Sequence, residues 1–130
     1  MSQLIASGFY AGLLALMMVP LSFQISLKRV KLGVVFGDLD DDTLRKRIRA
    51  HGNFIEYAPA GLIVLVLLEY NTGTSLYIWI LGGMLVFSRI LHAIGMLYFT
   101  KPAPRAAAML ISHAFFGVSG VWLIIATVLN

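Results

Sequence analysis

RAHGNFIEYAP, residues 49–59, is followed without a break by the apolar run AGLIVLVLL, residues 60–68. Within this stretch Arg49, Asn53 and Glu56 are separated by four and three positions, which places them on one face of a helix. The apolar continuation predicts that this helix enters a lipid bilayer. Polar side chains at membrane depth are costly unless they face a protein interior, a cavity or a ligand. The stretch therefore predicts a polar site inside a helical membrane protein.

The composition of the whole chain agrees with this prediction. The chain has 130 residues, of which 59% are hydrophobic and 12% are charged, and its mean hydropathy is +0.87. Soluble domains carry about 25% charged residues, so the chain is predicted to be an integral membrane protein. It contains no cysteine. Disulfides and thiolate metal ligands are therefore excluded, and any thiol chemistry must use the sulfur of a substrate.

The formal net charge of +4 is explained by membrane topology rather than by nucleic-acid binding. All Lys and Arg residues except Arg89 lie in two regions, residues 28–49 and 101–105. Loops rich in these residues face the cytoplasm. We therefore expect the two basic regions to be cytoplasmic and both termini to be periplasmic, which requires an even number of spans.

Four apolar segments supply those spans. We expect helices at about residues 2–27, 44–69, 75–99 and 105–129, which form an all-α, up-and-down four-helix bundle in a single domain, 1–130. The uncharged start is too long for a cleaved signal peptide, so the first helix is expected to be retained. Asp40 to Thr43 is predicted to cap the second helix rather than to form a calcium loop, and no metal site is expected.

Glu56 and Arg89 are predicted to lie at matched depth on neighbouring helices. Counting the helical rise from the cytoplasmic ends puts them roughly 16 Å and roughly 15 Å deep. We therefore expect an ion pair between them, which either fixes the helix register or serves the site. Removing Glu56 should then damage both stability and binding, whereas removing Asn53 should cost mainly binding.

The remaining polar residues of this region predict a ligand site that opens toward the cytoplasm. Arg49, Asn53, Glu56 and Tyr57 follow one helix, and His92 and Arg105 come from the facing helices. Cations, a carboxylate and an amide together suit a ligand with two carboxylates and an ammonium group. His113, farther along the last helix, is interpreted as a histidine of the bundle core.

Arg105 lies in the first turn of the fourth helix, where a cation opposes the helix dipole. One interpretation is a contact with lipid headgroups. The other is a positive pocket, since a guanidinium beside a helix N-terminus lowers the pKa of a bound thiol and favours the reactive thiolate.

The motif Arg49-x-x-x-Asn53-x-x-Glu56-Tyr57-x-Pro59, followed by Arg89-x-x-His92 and then Arg105, resembles the membrane-associated proteins in eicosanoid and glutathione metabolism (MAPEG). This family includes microsomal glutathione transferases, leukotriene C synthase and microsomal prostaglandin E synthase. The resemblance extends over nearly the whole chain. It implies a homotrimer in the lipid bilayer, with glutathione as co-substrate between neighbouring subunits and a lipophilic electrophile that arrives from the membrane.

The resemblance also implies roles for individual residues. Arg49, Asn53, Glu56, Tyr57 and His92 would hold glutathione, and Arg105 would be the catalytic residue that stabilises its thiolate. His51, and either Lys28 or Arg29, would reach the glutathione of a neighbouring subunit.

Three positions depart from the family pattern. Met96 and Met109 stand where the eicosanoid enzymes have tyrosines, and Ala106 replaces a serine near the thiol. These departures favour a general glutathione transferase or lipid hydroperoxide peroxidase over prostaglandin or leukotriene synthesis. A glutathione-binding or structural protein without turnover is the alternative, and a small four-helix exporter is a remote one because helix one has no acidic residue. The expected location is a bacterial inner membrane.

Overall fold

The chain folds into four long helices and short connections. A computed structural model describes residues 4–129, and within that range no strand is present. The helices are α1 (Ile5–Leu32), α2 (Asp42–Thr72), α3 (Leu76–Tyr98) and α4 (Ala103–Leu129). Each is long and apolar enough to cross a membrane. The predicted all-helical fold with four helices is confirmed, and all four are candidate membrane spans.

The ends of the helices follow local sequence signals. Helix α1 ends at Leu32 rather than at the predicted Leu27, and its last turn carries Arg29 and Lys31. Cations are favourable at that position because they face the negative end of the helix dipole. Gly33 then ends the helix with a left-handed φ of 68°. At the start of α2, the Asp41 carboxylate accepts a 2.7 Å hydrogen bond from the Leu44 N–H, which confirms the predicted cap.

Helices α2 and α3 form the centre of the bundle. Each contacts the other and both outer helices, whereas α1 and α4 do not contact one another within residues 4–129. The short connections make neighbouring helices antiparallel, so both basic regions lie at one end of the bundle, here called the basic end. At this end Lys28 of α1 forms a 3.0 Å ion pair with Asp41.

Close contact between helices depends on two glycines of α3. A Cβ at Gly82 would lie 2.0 Å from the Tyr10 ring, so only glycine admits the Tyr10 side chain at this distance. A Cβ at Gly95 would lie 3.1 Å from Arg105 Cγ and from Pro104 Cβ. This second contact sets the position of Arg105 relative to α3.

The opposite end of the bundle contains a buried carboxylate that the sequence did not predict. Glu69, in the last turn of α2, has no exposed surface. Its oxygens accept hydrogen bonds from the Ala6 N–H at 3.0 Å, from the Ser7 N–H at 2.8 Å and from the Ser7 hydroxyl. The Thr74 hydroxyl donates a further 2.6 Å bond. Glu69 therefore caps the N-terminus of α1 from a different helix, where the dipole favours an anion.

Candidate functional site

A cavity of about 310 Å³ lies between α2 and α3 near the basic end. Four of the polar residues predicted from the sequence line it: Arg49, Asn53, Glu56 and His92. Its walls are completed by Ile48, Gly52 and Met96. The structure thus brings together four of the six residues predicted to bind the ligand. The other two, Tyr57 and Arg105, do not line this cavity.

Helical periodicity explains how these side chains meet. Along α2, spacings of four and then three residues align Arg49, Asn53 and Glu56 in one stripe. His92 and Met96 are one turn apart on α3 and face this stripe. Arg49 and Glu56 are exposed, whereas His92 is only 9% exposed. The cavity therefore has a buried floor on α3 and an accessible charged rim on α2.

Arg89 is the largest buried polar residue below this cavity, with 1% of its surface exposed. Its Nη1 donates a 2.6 Å hydrogen bond to Asn53 Oδ1, and its Nη2 donates to the Ser112 hydroxyl. Its Nε donates a 3.3 Å bond to the Ser88 hydroxyl. The guanidinium carbon lies 4.6 Å from the centre of the Tyr57 ring, a cation–π distance. Arg89 thereby connects α2, α3 and α4.

The predicted ion pair between Arg89 and Glu56 is not present in this structure. Within residues 4–129 no carboxylate forms an ion pair with Arg89, and Glu56 is exposed on the cavity rim. Equal depth was not sufficient, because Glu56 lies on the cavity side of α2, about 100° around the helix from Tyr57. Asn53 and Tyr57, which are four apart, face the guanidinium instead.

Tyr57 accordingly has a different position from the one predicted. It lies over Arg89 and makes an edge contact with Phe116 at 6.0 Å between ring centres. It does not line the cavity between α2 and α3.

The sequence did not predict that Ser88 and Ser112 bind Arg89. Each is a serine within an apolar helix, beside or facing an arginine at membrane depth, and this pattern could have indicated a hydrogen bond to that arginine.

Comparison with known proteins identifies the family. The sequence model of the MAPEG family matches residues 7–125. The chain belongs to the MAPEG family. It is also 33% identical over 89 residues to the inner membrane protein YecN of Escherichia coli, from strain K12 and from the O6:H1 strain CFT073, and the match covers 68% of each chain. With four apolar helices of membrane-spanning length, this MAPEG member is an integral membrane protein.

Arg105 of this MAPEG chain borders the cavity through Met96. Its Nη1 lies 3.5 Å from the Met96 sulfur, and its Nη2 donates a 3.4 Å hydrogen bond to the Thr100 carbonyl. The second methionine that departs from the family pattern, Met109, accepts a 3.8 Å contact from Asn53 Nδ2. Thioether sulfur is a weak acceptor. Both methionines therefore touch predicted site residues while holding them less firmly than a phenol would.

The three residues expected to reach a neighbouring subunit do not line the cavity of a single chain. The Lys28 ammonium is already paired with Asp41 at 3.0 Å. Arg29 Nε and His51 Nε2 are shielded from solvent and have no hydrogen-bond partner among the residues that the structure describes. Between Lys28 and Arg29, the arginine has more unused hydrogen-bonding capacity.

The loop between α1 and α2 has its own charge network. Arg45 forms ion pairs of 3.0, 3.0 and 2.8 Å with Asp38, Asp40 and Asp42. Hydrogen bonds from the Asp40 N–H and Arg45 hold the pKa of Asp38 below its usual value. The Leu44 N–H and Lys28 lower the pKa of Asp41 in the same way. Within residues 4–129 no group of three or more His, Asp or Glu side chains is arranged to hold a metal ion.

His113 is a further correction. It lies exposed on α4 rather than in the bundle core, because Ser112 and Phe115 occupy the buried face of that helix.

Proposed function

We propose that this protein is a membrane-embedded glutathione-dependent enzyme. It would conjugate the glutathione thiolate to lipophilic electrophiles or reduce lipid hydroperoxides. The observation that carries the proposal is the cavity of about 310 Å³ in which Arg49, Asn53, Glu56 and His92 meet, with Arg105 beside it, in a chain of the MAPEG family. Its volume is in the range of small-molecule sites, roughly 300–1,000 Å³.

The charges at the cavity match the ends of glutathione. Arg49, exposed on the rim, can donate two parallel hydrogen bonds to a carboxylate, and Glu56 can accept from the ammonium group. His92, at the floor, supplies a ring nitrogen for the peptide backbone. Asn53 has its oxygen engaged by Arg89, so its part in binding is to fix the floor rather than to contribute a free amide.

Arg105 would favour the ionised thiol. Its guanidinium lies near the N-terminus of α4, and both carry positive charge. Lowering a thiol pKa by two units requires about 2.7 kcal/mol of differential interaction, which a charge-assisted hydrogen bond and a helix dipole can supply together. The Met96 contact is weak enough for Arg105 to exchange it for the sulfur of glutathione.

The chemical step is then simple. The thiol proton passes to solvent, the thiolate sulfur forms a bond to an electrophilic carbon, and the leaving group departs with the electron pair of the broken bond. With a hydroperoxide, two glutathione molecules are oxidised to the disulfide, while the hydroperoxide is reduced to an alcohol and water. The protein contributes positioning and electrostatic stabilisation.

A homotrimer would complete the site. Arg29 and His51 have unused donors or acceptors that are shielded in the single chain, and the cavity rim is exposed. A neighbouring subunit's glutathione would give both residues partners.

The basic end would face the cytoplasm of a bacterium, and the termini would face the periplasm. The relatives' names, which describe inner membrane proteins, support that location.

The second candidate function is glutathione binding without turnover. It is favoured by Met96 and Met109, whose sulfur contacts of 3.5 and 3.8 Å replace the stronger hydrogen bonds of tyrosines. Calorimetry of glutathione binding in detergent, followed by assay with an aryl chloride, separates the two. The enzyme binds glutathione and releases chloride, and Glu56→Gln weakens binding. Binding without product supports the second candidate, and no binding overturns both.

A further inference from the structure

Two adjoining cavities lie on the α1–α3 side of the bundle, away from the proposed glutathione site. The first, of about 150 Å³, is at the basic end and is lined by Gln24, Thr43, Lys46, Arg47, Leu97 and Tyr98. The second, of about 240 Å³, shares Gln24, Leu97 and Tyr98 with the first and continues along the outside of α1 and α3. Its remaining lining is apolar and includes Met17, Pro20, Ile90 and Ile94.

The charge of the first cavity is not neutralised by the protein. Asp38, Asp40 and Asp42 pair with Arg45, and Asp41 pairs with Lys28. All four aspartates, three in the α1–α2 loop and Asp42 at the start of α2, are thereby occupied. Within residues 4–129 no carboxylate forms an ion pair with Lys46 or Arg47, although both line the cavity.

Arg47 is fixed to α1 by one hydrogen bond and retains free donors. Its Nη1 donates a 2.8 Å hydrogen bond to the Gln24 carbonyl of α1. This contact uses only one of the guanidinium donors. Lys46 is exposed one residue before it and carries the second positive charge. The cavity therefore presents a guanidinium held by a hydrogen bond and an exposed ammonium.

The second cavity lies on an exposed, largely apolar face of the bundle. Ile90, Ile94 and Tyr98 follow one face of α3 at spacings of four residues and are 40%, 41% and 77% exposed. His92 and Met96, which line the glutathione cavity, lie on another face of α3. The two sites share no lining residue.

We propose that these joined cavities bind one anionic phospholipid of the host membrane. The phosphate lies against Lys46 and Arg47, and an acyl chain follows the groove between α1 and α3. Charge complementarity selects the head, because two cations without carboxylate partners face a headgroup-sized space at the basic end. The mostly apolar second cavity, which adjoins the first, selects a ligand with a chain. This proposal does not depend on glutathione binding.

Native mass spectrometry of the intact protein in detergent tests this site with phosphatidylglycerol and phosphatidylcholine of identical chains. The wild type should retain phosphatidylglycerol in preference. Lys46→Gln combined with Arg47→Gln should reduce that preference roughly tenfold or more, because each interfacial cation contributes severalfold. The matched control, Lys31→Gln combined with Lys101→Gln, removes two exposed cations that do not line the cavities and should leave the preference unchanged.

A single-residue variant separates loss of lipid binding from loss of structure. Loss of Arg47 also removes the bond to Gln24, so Lys46→Gln alone, at an exposed position, provides a variant whose fold is preserved. It should lose part of the preference. Equal retention of the two lipids by the wild type, or equal loss in the control variant, would overturn the proposal. Displacement of the lipid by inorganic phosphate alone would also overturn it, since it would show a simple anion site.

Discussion

Arg89 Nη1 donates a 2.6 Å hydrogen bond to Asn53 Oδ1, and this contact joins α3 to α2 beneath the candidate glutathione cavity. Arg89 is 1% exposed, so its charge relies on the groups around it. Asn53, which sequence considerations assign mainly to ligand binding, is therefore a stabilising residue. Glu56, by contrast, is exposed on the rim of the cavity and does not contact Arg89 through an ion pair.

Replacing Asn53 by Ala should lower the free energy of unfolding by roughly 1.5–3 kcal/mol, the usual range for a hydrogen bond to a charged group. The buried guanidinium would lose the acceptor of its Nη1 hydrogen bond. Thermal unfolding in detergent measures the change. Glu56→Gln is the matched control and should leave stability nearly unchanged while weakening glutathione binding. If Glu56→Gln were the more destabilising variant, Arg89 would depend on Glu56 after all.

Replacing Glu69 by Gln should destabilise the end of the bundle opposite the site. An amide has one acceptor oxygen where the carboxylate has two, so the Ala6 and Ser7 N–H groups cannot both keep their present bonds. We expect a loss of roughly 1–3 kcal/mol and faster hydrogen exchange at the start of α1. The same substitution at exposed Glu56 is the control. Unchanged exchange at Ala6 and Ser7 would contradict the assigned cap.

Gly82→Ala should destabilise the bundle, because the added Cβ would lie 2.0 Å from Tyr10 Cδ2. Tyr10 would have to move and lose the 2.6 Å hydrogen bond from its hydroxyl to the Trp79 carbonyl. Overpacking of this kind costs about 1–3 kcal/mol. Gly117→Ala is the control, since nothing lies within 4 Å of its added Cβ, and it should be neutral or stabilising. Equal melting temperatures for the two variants would refute the Tyr10–Gly82 contact.

The α1–α2 loop should loosen in acid. The pKa values of Asp38 and Asp41 are lowered by their hydrogen bonds and cations in the folded chain. Their stabilising effect is therefore complete above the ordinary carboxyl pKa of about 4 and is lost as the pH falls through the lower folded values. Hydrogen exchange at the Leu44 N–H measures it. Asp41→Asn should remove most of the pH dependence at that amide, and an unchanged profile would contradict the cap.

The sequence predicted the helices well because long apolar runs have few alternatives in a membrane. It also predicted that Arg49, Asn53, Glu56 and His92 share one site, since helical spacing fixes which side chains align. The sequence did not predict the contacts that depend on how the helices pack against one another. Arg89 is bound from α4 by Ser112, and Glu69 binds the start of α1. Neither contact follows from spacing within one helix or from depth alone.

We propose that Arg105 favours ionisation of the thiol of bound glutathione. The ultraviolet absorbance of the thiolate, recorded against pH with the protein saturated by glutathione in detergent, tests it directly. Lys101→Ala is the control, because Lys101 is an exposed cation at the same end of the bundle. We expect the thiol to ionise well below its ordinary pKa of about 8.5 in the wild type and in Lys101→Ala, and at a pH closer to that value in Arg105→Ala. The same ionisation curve for Arg105→Ala and the wild type, both saturated, would contradict it.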